Sequence, residues 1–199
     1  MAGVAKALHS AQGLSFTERL VAQSLQTVVA EGARATWGLL LAATYGVALG
    51  TRSGGAELWQ HALGVPAGLA SVALVGVPSL FVFLALVDAP ISPTGALSVA
   101  TRALSVSGLM LAGLAPAAAL FVTTIDSGGI AALAGGVGLL LAGAIGLVHL
   151  LNGLSRQLVQ AAPVVRAGGN AALAVFALFA VGLCLRVWWA TLPLFGGAS

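Results

Sequence analysis

Residues 131–153, AALAGGVGLLLAGAIGLVHLLNG, hold one histidine, one asparagine and no charged side chain in 23 consecutive positions. A helix of about 20 apolar residues spans the hydrocarbon core of a bilayer, about 30 Å thick. Glycine destabilises helices in water through its backbone entropy. In lipid it has a compensating use, because a helix without a Cβ lets a neighbour approach closely. A stretch this apolar and this rich in glycine therefore fixes the solvent before it fixes the fold.

The rest of the chain agrees. Of 199 residues, 59% are hydrophobic and 7% charged, against roughly a quarter charged in soluble domains. Mean hydropathy is +1.07. Eight basic and five acidic residues give a net charge of +3, too sparse for a nucleic-acid-binding stripe. The single cysteine, Cys184, excludes an intrachain disulfide and a cysteine-based zinc site. The start, MAGVAKALHSAQG, has no unbroken apolar core of a cleavable signal, so the first span is expected to act as targeting signal.

Five segments are long and apolar enough to cross, at about residues 34–50, 66–88, 96–124, 129–151 and 170–192. They are apolar on every side, which excludes a barrel of alternating strands. The expected fold is all-α: a polytopic transmembrane bundle of about five helices, residues 34–199, preceded by an amphipathic segment, residues 1–33. Ser15 and Glu18 have capping-box spacing, so a helix is expected from about Phe16. Leu14, Val21, Leu25 and Val28 share one side of it, as in a helix lying at the interface. Trp37 is expected at headgroup depth.

Pro78 should bend the second span, and Pro116 the third. Ser92-Pro93 reads as an N-cap with proline at the first helical position, giving a helix to about 124 and about 48 Å long. Asp126 is expected to cap the fourth helix, and Asn152-Gly153 to end it. Lys6, Arg19, Arg34, Arg102, Arg156 and Arg166 fall on one side of this topology and Arg52 and Arg186 on the other. Basic residues are retained on the cytoplasmic side, so the N-terminus is expected there and the C-terminus outside.

Small residues recur every fourth position in two spans: Gly38, Ala42, Gly46 and Gly50 in the first, Ala134, Gly138, Ala142 and Gly146 in the fourth. Such ridges permit close crossings, so these two spans are expected to pack together.

Polar residues in or near spans are the candidates for function. Asp88 and Arg102 flank one short turn, either pairing across it or standing as two separately solvated interfacial charges, with the second reading preferred. Arg186, beside Trp188 and Trp189, reads as an interfacial anchor. His149 reads first as a helix-end polar residue satisfied by headgroup, water or a neighbouring carbonyl; it also falls at similar depth to Ser107 by helical rise, a spacing compatible with a serine–histidine dyad. SVSGLM is similar to the serine–glycine signature of rhomboid proteases, but lacks glycine two positions before Ser107, and a sixth span is absent. No phosphate loop, paired carboxylates or H-E-x-x-H occurs, so neither catalytic residues, cofactor nor metal are expected.

Five spans and the connection DAPISPTGALSVATRALSVSGLMLAGLAP leading into a proline-bearing third helix resemble the Yip family of membrane proteins, over about residues 30–195. The resemblance implies a non-enzymatic integral membrane protein, in some relatives linked to small GTPases and vesicle traffic. No functional residue carries over with it. The expected function is a scaffold, assembly factor or accessory subunit, with membrane lipids and other membrane subunits or further copies as partners. A small-molecule or lipid transporter component is the alternative, and an intramembrane serine hydrolase a remote one.

Overall fold

The computed structural model describes residues 16–193, with side chains from Leu25 onward. Ser15, Leu14 and Lys6 lie outside the described residues. Helices are α1 (Phe16–Gly50), α2 (Gly55–Ser71), a π turn (Val72–Gly76), α3 (Val77–Leu86), α4 (Pro93–Thr124), α5 (Gly128–Gln157) and α6 (Pro163–Thr191). No strand occurs among the described residues. Four helical stretches are long and apolar enough to cross a membrane: Gly55–Leu86, Pro93–Thr124, Gly128–Gln157 and Pro163–Thr191.

Local chemistry explains most boundaries. Ser92 accepts a hydrogen bond from Gly95 N at 3.0 Å, and Pro93 opens α4 as its first residue, as the sequence suggests. The second span begins at Gly55, eleven residues before the expected start. Its ladder loosens into a π turn just before Pro78, with Val77 N bonded to Val72 O. Proline offers no N–H and crowds the carbonyl four residues back, so the chain absorbs an extra residue there. After Leu86 the backbone closes a Schellman motif: Ala89 N bonds to Leu84 O at 3.0 Å and Asp88 N to Ala85 O at 3.1 Å. Asp88 holds the left-handed position, at φ 52°.

Two expected boundaries are corrected. Asn152-Gly153 does not end α5, which runs on to Gln157. Gly153 faces Val99 instead, where a Cβ would come within 2.5 Å of the valine methyl, so its missing side chain serves packing. Asp126 does not cap α5 with its carboxylate. Ser127 is the N-cap residue, contributing its backbone carbonyl to Ala131 N, and Asp126 gives its own carbonyl to Arg52.

The packing order is α5–α4–α1–α2–α6, closing weakly from α6 back to α5. α1 and α4 form the largest interface and run parallel: Glu31 meets Thr101, Arg34 meets Ser105, and Gly38 meets Gly108. A Cβ on Gly108 would collide with the Gly38 carbonyl. The other contacts are antiparallel. Gly46 and Gly50 seat α1 on His61, Ala62 and Leu58 of α2, while Gly64 and Gly68 seat α2 on Leu192 and Trp188.

The expected ridge-on-ridge pairing of the first and fourth spans is therefore replaced. Gly38 lies against α4, Gly46 and Gly50 against α2, and Gly146 against Ser107 of α4. The long side chain of Tyr45 bridges to α5, where Gly138 makes room for it and Gly135 O accepts its hydroxyl at 2.8 Å. Four-step small residues are compatible with any close neighbour, so the ridge alone does not choose its partner.

Two apolar clusters fill the bundle. One joins Tyr45, Leu49, Leu111, Leu139, Trp188 and Leu192; the other joins Leu80, Leu84, Leu154, Leu158, Leu173 and Phe176.

Candidate functional site

A polar layer crosses one end of the bundle. Thr101 donates its hydroxyl to Glu31, and Arg34 donates to both carboxylate oxygens of Glu31, at 2.8 and 2.6 Å. The Ser105 hydroxyl lies 3.1 Å from Arg34 O and 2.9 Å from Thr101 O, and its single proton serves one at a time. Glu31 is buried, with three donors converging on it. The Thr101 hydrogen bond is the main influence holding its carboxyl below the ordinary value of 4.5; burial opposes this, and Ser98 and Arg34 add to it. Arg34 is the ion-pair partner seen among the described residues.

At the opposite end, Arg52 in the α1–α2 turn donates to Ile125 O at 2.5 Å and Asp126 O at 2.6 Å. It satisfies carbonyls that the end of α4 leaves free, where a cation suits the helix dipole. By helical rise the two ends are about 33 Å apart along α4 from Arg102 to Thr124, close to the thickness of a hydrocarbon core.

Between them a cavity of about 280 Å³ is walled by Ala100 and Leu104 of α4, Leu147 and Leu151 of α5, and Cys184 and Trp188 of α6. Its walls are apolar. It underlies the weak α5–α6 seam. Ser107 reaches its edge but donates its hydroxyl to Ala142 O at 3.1 Å.

The sequence candidates are thus dispersed. Asp88 and Arg102 are both exposed and form no pair; Asp88 serves the α3 terminus. Ser107 is buried between α4 and α5, whereas His149 lies exposed on α5, and no hydrogen bond joins them. Arg186 is exposed, whereas Trp188, two residues on, faces the inside of the bundle. It is buried against Gly68, donating its indole N–H to Val65 O at 3.2 Å. Trp37 and Trp189 are exposed.

Three polar residues escaped sequence reading. Glu31 sits three residues before the expected first span, where it reads as solvated. Tyr45 looks like one more apolar ring. His61 lies on α2, buried where α1 packs on α2, its Nδ1 2.8 Å from Glu57 O and its Nε2 without a hydrogen-bond partner among the described residues. A carbonyl facing Nδ1 requires a proton there, because a carbonyl oxygen only accepts. The i, i+4 placement of Glu57 and His61 at the start of a mostly apolar helix was the available signal.

Comparison with protein-family models, with curated proteins and with solved structures finds no match for this chain.

Proposed function

We propose that this chain is a non-catalytic membrane protein of five spans that serves as a scaffold, assembly factor or accessory subunit. The observation that carries the reading is the outer part of α1. From Phe16 to Glu31 the helix runs about 22 Å beyond the polar layer. It exposes Leu25 (59%), Val28 (48%) and Val29 (71%) on one stripe. An apolar stripe on a projecting helix is the surface a partner helix or a membrane face would cover. Inside the bundle, Tyr45, Ser107 and Trp188 give their donors to carbonyls of neighbouring helices, which favours a packing role over chemistry.

Residues 34–50 of α1 serve as the fifth span in this reading. The distribution of basic residues supports a cytoplasmic N-terminus and an external C-terminus. Kinship with the Yip family belongs to the same proposal and rests on span count and proline placement. Purification from gently solubilised native membranes tests it: partner polypeptides should co-purify with the wild type and be lost from Leu25→Glu/Val29→Glu, while the variant melts as the wild type does. Retention of the same partners by the variant overturns the role of α1.

The cavity favours a second reading, in which the protein handles an apolar small molecule or lipid. Liposomes holding only this protein stay impermeable under the first reading and exchange an apolar solute under the second.

A further inference from the structure

The side of the α4–α5 pair opposite the cavity carries two arginines, Arg102 and Arg156, and a histidine, His149. Successive helical residues are about 100° apart, so Arg102 lies about 200° around α4 from both Ala100 and Leu104, which wall the cavity. His149 stands in the same relation to Leu147 and Leu151 on α5. Both side chains are exposed, as are Asn152 and Arg156. Arg156 follows His149 by two turns and shares its side of α5, about 10 Å nearer the helix end.

Interhelical register sets their depth. Gly95 faces Gln157, Val99 faces Gly153, and Ser107 reaches Ala142. Arg102 is therefore level with Leu150 and directly beside His149 on the neighbouring helix. It also follows Thr101, the partner of Glu31, so this face belongs to the polar layer at one boundary of the apolar slab. None of the described carboxylates answers Arg102 or Arg156. Glu31 is held by Arg34 and Thr101, Asp88 ends α3 unpaired, and Glu57 and Asp126 belong to the opposite end.

We propose that Arg102, His149 and Arg156 form a binding face for the phosphate of an anionic membrane lipid. The headgroup phosphate lies between the helices, where the Arg102 guanidinium donates paired N–H groups to its oxygens and His149 adds a hydrogen bond. Arg156 supplies a second positive charge one step toward water, and the acyl chains run along the exposed apolar surface of Leu109 and Leu141. Charge complementarity selects the headgroup, and depth selects a lipid over a soluble anion.

The test uses the full chain in mild detergent, with lipid retention read by native mass spectrometry and thermal stability read in parallel. Phosphatidylglycerol should be retained in preference to phosphatidylcholine by about five-fold per guanidinium. The preference should collapse in Arg102→Gln/Arg156→Gln and persist in Arg52→Gln, which removes a cation from the other end. Phosphatidylglycerol carrying a photoreactive headgroup should label residues 98–109 and 145–156 of the wild type, a readout independent of how the variants fold. Equal retention of the two lipids, labelling confined to other segments, or equal stabilisation by inorganic phosphate alone would overturn the proposal.

Discussion

Gly108 and Gly113 lie five residues apart on α4 and respond to a methyl group in opposite ways. Gly108 has the Gly38 backbone against it, whereas nothing lies within 4 Å of where a Gly113 Cβ would stand. Gly108→Ala should cost about 1–3 kcal/mol by forcing α1 off α4. Gly113→Ala should leave stability unchanged or raise it by up to about 1 kcal/mol, since alanine restricts the unfolded chain. Melting of the detergent-solubilised variants separates the two. Asp88 gives a sharper sign. Its left-handed backbone and its negative charge at the C-terminus of α3 are both unfavourable, so Asp88→Gly should stabilise by about 1 kcal/mol. A pairing role with Arg102 would make the same change destabilising. None of these partners is written in the sequence: one missing Cβ looks like another until the facing atom is known.

Among whole elements, those set by neighbouring residues were legible and those set by distant ones were not. Ser92-Pro93 announces the start of α4 because a cap uses atoms three residues away. Glycine 153 misled because chain termination and close approach need the same absent side chain, and only Val99, from another helix, decides between them. The α1–α4 joint is equally non-local, and it carries a pH dependence. Because the folded carboxyl of Glu31 titrates below the ordinary 4.5, its ionised form is favoured by folding. That stabilisation is fully present above 4.5 and is lost as pH falls through the depressed folded value. Melting temperature should therefore drop on the acid side of the carboxylate range in the wild type, and this part of the drop should vanish in Glu31→Gln. Identical acid profiles would remove Glu31 from the account.

In the molecule as a whole, strong interfaces run from α5 through α4, α1 and α2 to α6, and the ring is weakest where α6 returns to α5. The cavity beneath that seam predicts lateral access from the surrounding hydrocarbon. With Trp37, Trp59 and Trp189 replaced by phenylalanine, the fluorescence of buried Trp188 should still be quenched by lipids brominated along their acyl chains. Enlarging Ala144, another wall residue, to phenylalanine should reduce that quenching. A Trp188 signal indifferent to brominated lipid in both forms would mean the seam stays shut. The all-helical architecture and the nonpolar solvent were readable from the sequence, because composition and run length determine them. The ring order was not, since each helix is apolar on several sides and has more than one possible neighbour.

The parallel alignment of α1 with α4 also bears on how the protein is made. Its key contact joins Glu31 to a threonine 70 residues later, so at ordinary translation speeds roughly 4–14 s separate the synthesis of the two halves of that joint. Throughout that interval Glu31 has Arg34 but not yet Thr101 for company, and the Gly38 backbone stands bare of its eventual mate. The closest backbone approach among the described glycines thus has to wait until α4 is made.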